Sequence, residues 1–194
     1  EMKHTHTIIA PQMSPIHFEI LEAVFNNAGY NFVVLNNADK KAVDEGLKYV
    51  NNDACYPSII VVGQLISALK SGDYDLNNTS VIISQTGGGC RATNYIAFLR
   101  KAMKDAGFGH IPVLSLNFVG MEKNPGFKFT ASMLHQTVIG ILYADLISRA
   151  FLRTRPYEKV KGTSEALYKK WMDIVKKKAI SGKRSEIYRT ALGI

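Results

Sequence analysis

Short apolar segments alternate with longer helical segments along most of the chain. Four apolar segments predict strands, and the one at 80–85 is apolar at successive positions, which is typical of a strand buried on both faces. The predicted strands are T-I-I-A-P at 7–11, N-F-V-V-L-N at 31–36, S-V-I-I-S-Q at 80–85 and I-P-V-L-S-L at 111–116.

Apolar residues at helical spacing predict the helices between and after these strands. The helix at 15–30 has the clearest ends, because Ser14 suits an N-cap, Pro15 suits the first turn and Gly29 suits the stop. The predicted helices cover 15–30, 38–50, 57–70, 91–106, 130–153, 163–180 and 183–192.

The alternation of strands and helices predicts the fold class. Strands separated by helices of about 10–15 residues indicate βαβ units and a parallel sheet. Right-handed crossovers then place helices on both faces of the sheet. We therefore expect an α/β fold with a three-layer, four-stranded parallel sheet of the Rossmann or flavodoxin-like kind. The expected domains are an α/β domain at 1–155 and a basic C-terminal helical extension at 156–194.

Composition is consistent with a folded domain. The chain has 194 residues, of which 46% are hydrophobic and 21% charged, so it can bury a sizeable core. The sequence has no run of about 18 apolar residues and no secretory signal, so we expect no membrane span and a cytoplasmic location. Because the chain opens E-M-K-H and closes T-A-L-G-I, we also expect it to be a fragment of a larger protein.

The formal net charge of +8 is concentrated near the C-terminus. The stretch 149–189 contains thirteen Lys and Arg residues against four acids. Such a stretch forms either a solvated helix face or a contact surface for an anionic cofactor or an acidic partner. No nucleic-acid-binding motif accompanies it, so we expect no nucleic-acid partner.

The candidate chemistry centres on the only two cysteines, Cys55 in N-N-D-A-C-Y-P and Cys90 in S-Q-T-G-G-G-C-R. Each precedes a predicted helix, and ligands of open parallel sheets bind outside the carboxyl ends of the strands. For Cys90 four interpretations stay open: a phosphate loop without Walker or G-x-G-x-x-G spacing, a reactive thiol next to Arg91, a packed thiol, or a ligand of a metal or cluster.

Three segments resemble a known family. A-C-Y-P with its flanks, T-G-G-G-C-R-A-T-N-Y and G-H-I-P-V-L-S-L-N are similar to large acyl-CoA dehydratase activase-related proteins of anaerobic bacteria, relatives of the 2-hydroxyglutaryl-CoA dehydratase system. The resemblance covers about residues 5–155 and matches the dehydratase-like portion of those proteins.

The resemblance implies an iron–sulfur, electron-transferring role. It implies that Cys55 and Cys90 are metal ligands of a 4Fe–4S cluster, although dehydratase subunits normally use three cysteines and this chain has two. It also implies a partnership with an ATP-hydrolysing activase portion of the same or another chain, an acyl-CoA substrate, and a dimer. The other candidate cofactor-binding residues are Gln85, Thr86, Gly87, Gly88, Gly89, Arg91, Asn94 and Tyr95.

Several alternatives remain beside this interpretation. Arg91, Asn94 and Tyr95 either hold a substrate carboxylate or thioester, or cap and pack the loop. The chain as a whole is either the redox domain, a non-catalytic CoA- or partner-binding module, or a thiol-redox domain that uses Cys90. His4 and His6 share one face of a predicted N-terminal strand, where an exposed edge or a metal pair would both suit them.

Overall fold

A computed structural model of the chain describes residues 2–85, 87–88, 90–117, 124 and 126–181; the side chain of Arg91 lies outside this description. The strands are β1 (Thr7–Ala10), β2 (Asn31–Val34), β3 (Thr79–Ser84) and β4 (Val113–Leu116). The helices are α1 (Met2–Thr5), α2 (Pro15–Asn27), α3 (Lys40–Tyr49), α4 (Tyr56–Lys70), α5 (Tyr95–Asp105), α6 (Ala131–Thr154) and α7 (Thr163–Ser181).

The four strands form one parallel sheet in the order β2-β1-β3-β4. Thr7 of β1 aligns with Asn31 of β2 on one side and with Thr79 of β3 on the other. The strand order reverses direction between β1 and β3, so the loops after these two strands diverge and leave a crevice at the carboxyl edge. The all-parallel sheet flanked by helices confirms the predicted α/β class and is consistent with three layers.

The N-terminus departs from the prediction. His4 lies in α1 and His6 precedes β1, so the predicted strand that would carry both histidines on one face is wrong. The backbone N–H of His6 donates to the Met2 carbonyl, which closes a helical turn instead. A further difference concerns the predicted helix at 91–106, which begins as a 3-10 turn at Arg91–Asn94 before α5. The predicted helix at 183–192 lies outside the described residues.

Contacts divide the chain into two compact units. The first contains the sheet with α1, α3, α4 and α5, and comprises residues 1–13 and 29–128. The second contains α2, α6 and α7, and comprises residues 14–28 and 129–194. In this division α6 groups with α7 and α2, whereas the sequence suggests a domain boundary at residue 155; that boundary stays a prediction.

Within the first unit, α3 and α4 approach each other at two glycines. A Cβ on Gly63 would overlap the Ala42 carbonyl oxygen, and a Cβ on Gly46 would overlap the Ile59 carbonyl oxygen. Both glycines are buried, so neither backbone can move away without opening the core. The absence of side chains at these two positions therefore sets the distance between α3 and α4.

β4 is one of the two edge strands of the sheet, and a side chain covers part of it. The Asn124 side chain accepts a hydrogen bond from the Ser115 N–H at 2.9 Å and donates to the Ser115 carbonyl at 2.6 Å. Because these two groups face away from β3, Asn124 satisfies an edge position that would otherwise be open to another strand.

The second unit is a three-helix arrangement. His17 of α2 contacts Asp145 of α6 at 2.8 Å, and Glu19 of α2 contacts Lys176 of α7 at 3.1 Å. Gly140 of α6 packs against Ile20, where it leaves no room for a larger side chain. None of the described helices, including the 24-residue α6, is long and apolar enough to cross a membrane.

We predict that Gly63→Ala lowers the free energy of unfolding by about 1–3 kcal/mol, because the new methyl group forces α3 and α4 apart. Chemical denaturation measures the loss. Gly88→Ala is the matched control, since no atom lies within 4 Å of its Cβ position. Equal losses in the two variants would show that the α3–α4 contact is not the cause.

Candidate functional site

The candidate site lies where β3 ends and where α4 and the 3-10 turn at Arg91–Asn94 begin. Cys55 is the N-cap residue of α4, and Cys90 is the N-cap residue of the 3-10 turn. Both thiols therefore precede a helical segment, as the sequence suggests. The N-terminus of the 15-residue α4 carries a partial positive charge that favours an anionic sulfur at Cys55.

Local hydrogen bonds position Cys55. The Asn51 carbonyl accepts from the Ala54 N–H, and the Asn51 side chain accepts from the Asp53 N–H, so the segment before Cys55 is a tight turn. The Cys55 carbonyl then accepts from both the N–H and the hydroxyl of Ser58, which is fully buried. These bonds anchor the half-buried Cys55 to the first turn of α4.

The glycine-rich loop holds Cys90 at the surface. Gly87 has a φ of 71°, a conformation that glycine adopts without strain. The Thr93 hydroxyl donates to the Gly88 carbonyl at 2.9 Å, and the Thr93 N–H donates to the Cys90 carbonyl at 3.1 Å. Thr93 thus links both sides of the loop, and the Cys90 thiol stays exposed.

Tyr95 contacts the thiol of Cys55. Its hydroxyl lies 2.8 Å from the Cys55 sulfur, and its side chain is buried, with 4% exposure. Burial, the hydrogen bond to Cys55 and the charges of Cys55 and Cys90 raise the pKa of Tyr95 to about 12. The phenol therefore keeps its proton at ordinary pH and donates it to the Cys55 sulfur when that sulfur is a thiolate. Burial and Cys55 make the largest contributions to the raised pKa of Tyr95, and the charge of Cys90 adds the smallest one.

The remaining predicted residues have different surroundings. The Gln85 side chain accepts a hydrogen bond from the Ser115 hydroxyl at 2.8 Å, which ties the ends of β3 and β4 together. Asn94 is exposed, and its side chain makes no capping bond to α5. Thr86 and Gly89 lie outside the described residues.

The sequence prediction missed the residues of the loop after β1. The Ser84 hydroxyl at the end of β3 contacts the Met13 sulfur at 3.6 Å, and the Gln12 N–H donates to the Gln64 side chain at 2.8 Å. Gln64 is fully buried on α4, in a run of apolar residues that gave no signal. The crevice rule for parallel sheets could have identified Gln12 and Met13, because they directly follow a central strand.

Three side-chain amides, after β1, after β2 and on α4, have a buried atom without a hydrogen-bond partner among the described residues. Among the described residues, no protein group bonds the buried Gln12 Oε1, Gln64 Nε2 or Asn37 Oδ1. Buried polar atoms are rarely left without a partner, so ordered water or a polar group of a ligand is the expected partner here.

The site fits an iron–sulfur cluster in part. Cubane clusters usually take four thiolates, and Cys55 and Cys90 can supply two of them. Within the described ranges, no group of three or more His, Cys, Asp or Glu side chains is placed to hold a metal ion. The remaining ligands would therefore come from another chain, from a small molecule or from parts of this chain outside the described ranges.

Comparisons of the chain with protein-family models, curated proteins and solved structures find no match. The resemblance to the dehydratase-related proteins therefore stays an interpretation of the two cysteine motifs.

We predict that Tyr95→Phe moves the pH midpoint of Cys55 alkylation upward by about one unit, because the thiolate loses a hydrogen-bond donor. Iodoacetamide labelling across a pH series, in a Cys90→Ser background, measures the midpoint by mass spectrometry.

The matched control for this measurement is Tyr49→Phe. It removes a hydroxyl that accepts from Lys70 and leaves Tyr95 in place. An unchanged midpoint in Tyr95→Phe would show that the phenol does not act on the Cys55 thiolate.

Proposed function

We propose that this chain is an iron–sulfur, electron-transferring domain of an ATP-dependent 2-hydroxyacyl-CoA dehydratase/activase-type system. The observation that supports the proposal is the contact of the Cys55 sulfur with the buried Tyr95 hydroxyl at 2.8 Å, at the start of the helix that follows the Cys90 loop. The A-C-Y-P and T-G-G-G-C-R motifs, on which the family resemblance rests, supply exactly these two thiols, so motif and geometry point to the same residues.

Each residue of the site has a role in this proposal. Cys55 and Cys90 would be the two protein ligands of a 4Fe–4S cluster, which supplies one-electron chemistry when bound. The open backbone at Gly87 and Gly88 lets N–H groups approach the sulfur atoms of such a cluster. Tyr95 donates its proton to the Cys55 sulfur and holds that thiol in a fixed direction.

The proposal assigns further parts of the system to other components. ATP hydrolysis belongs to an activase portion of the same or a partner chain, which delivers the electron. An acyl-CoA substrate would lie at the same carboxyl edge of the sheet. Exposed Asn94 is available there for a hydrogen bond to a thioester or carboxylate, because its side chain makes no capping bond.

Anaerobic reconstitution with ferrous iron and sulfide tests the cluster. We predict that the wild-type chain retains iron, sulfide and a visible iron–thiolate absorption band after desalting, with dithiothreitol supplying the missing thiolates. Cys55→Ser and Cys90→Ser should each retain at least about tenfold less iron, as expected for the loss of a metal ligand or its support. Iron and sulfide analysis together with the absorption spectrum provide the readout.

The double variant Cys55→Ser/Cys90→Ser defines the level of adventitious iron. Equal iron content in the wild-type chain and the double variant would contradict the cluster assignment. A second function, thiol redox, is favoured by the exposure of the Cys90 thiol. It would be supported if the wild-type chain binds no iron but forms a Cys55–Cys90 disulfide under mild oxidation.

A further inference from the structure

The second unit carries an apolar groove. It lies between α6 and α7 and has a volume of about 210 Å³. Phe151 and Tyr168 form part of it, with ring centroids 4.9 Å apart. Leu146 and Leu167 each remain 54% exposed in its walls, and Trp171 is 36% exposed. Side chains of this kind are usually covered, so the groove is a candidate contact surface.

The groove residues and the residues that contact α2 lie at different angles around α6 and α7. On α6, Asp145 contacts α2, while Ala150 lines the groove. On α7, Lys176 contacts α2, while Trp171 lines the groove. On each helix the two named residues are five positions apart, so their side chains point about 140° apart around the helix axis.

An exposed apolar ridge on α6 leads into this groove. Leu134, Val138 and Leu142 precede Leu146 at intervals of four residues, and Leu142 is 63% exposed. Residues at this interval form the ridges through which helices pack on one another. The ridge and the groove together offer one apolar path for a further helix.

Unpaired cations border the apolar path. Arg149 and Arg153 follow Leu146 by three and seven residues, and Lys170 follows Leu167 by three, so each is one or two helical turns from an apolar groove residue. Among the described residues, no carboxylate forms an ion pair with any of these three cations.

The acids of the same region already have partners. Between 145 and 178 the chain has ten Lys and Arg residues and four acids. The four acids are Asp145 with His17, Glu165 with Lys169, Asp173 with Lys176, and Glu158 with the N–H groups of Gly162 and Ser164. Within the described residues of this unit, no acid of the stretch 145–178 therefore pairs with Arg149, Arg153 or Lys170.

We infer that this groove, bordered by Arg149, Arg153 and Lys170, is the docking site for an amphipathic helix of a partner protein that carries acidic residues beside its apolar face. An apolar face of such a helix fills the groove, as in other helix-in-groove complexes, and its carboxylates pair with the free cations. A second copy of this chain fits less well, because it brings the same excess of positive charge. The inference is independent of the iron–sulfur proposal.

Trp171 provides the test, because it is the only tryptophan in the chain and lines the groove. The probe is a designed amphipathic peptide of about 18 residues, with leucines on one face and glutamates beside them. We predict a saturable blue shift of Trp171 emission on titration, weakened by salt. The same peptide with lysines in place of the glutamates should bind at least tenfold more weakly.

Variants of exposed residues localise the binding. Leu146→Glu and Arg149→Glu should each weaken binding of the acidic peptide at least tenfold. Leu152→Glu is the matched control, because Leu152 is also exposed, at 62%, but does not line the groove. Circular dichroism before titration confirms that each variant is folded.

Three outcomes would overturn the inference. The first is equal binding of the acidic and basic peptides, and the second is an equal loss of binding in Leu152→Glu and Leu146→Glu. The third is the absence of any peptide effect on Trp171 while its emission shifts with anionic lipid vesicles or with self-association in sedimentation. A charge-selective shift that Leu146→Glu removes and Leu152→Glu preserves would support the inference.

Discussion

The contact between α3 and α4 at two glycines is the constraint on which the first unit depends. Gly46 and Gly63 bring the two helix backbones together with no side chain between them. On α4 the residues from Ile59 to Leu69 are almost all buried, so this helix is the centre of the hydrophobic core. Because the contact with α3 and the surrounding core both hold α4 in place, the N-terminus of α4 and Cys55 are held in place as well.

The parallel sheet supplies the second half of the site. β3 lies between β1 and β4, so its carboxyl end opens at the reversal of the strand order. The glycine-rich loop leaves the sheet at this point and ends in Cys90. Tyr95, at the start of α5, then reaches the Cys55 sulfur over a sequence distance of 40 residues. Cys55 and Tyr95 come from separate segments and meet because α4 and α5 pack in one core.

The second unit differs in what its surface leaves unsatisfied. Its helices are joined by short polar contacts at the surface, such as His17 with Asp145 and Glu19 with Lys176. Its surface combines exposed leucines with arginines that form no ion pair in the described part of the chain. Exposed apolar side chains and unpaired charges contribute little to the stability of the isolated chain. Apolar area and complementary charge are, however, the two components of a selective protein contact.

Several features follow from the sequence alone because they depend on local chemistry. Alternating apolar and helical segments determine the α/β class, and the position of each cysteine just before a helix follows from strand ends, glycines and Pro57. The N-terminal helix at His4 could not be predicted in this way, because four residues carry too little pattern to separate a helical turn from a strand.

Other features were decided by the tertiary structure. The bond between Tyr95 and Cys55, the burial of Gln64 beside Gln12, and the grouping of α6 with α2 each join residues that are distant along the chain. The excess of basic residues at 149–189 is visible in the sequence, but only packing shows which cations keep a carboxylate partner. Sequence patterns report the preference of each segment, whereas side-chain pairing depends on which segments the core brings into contact.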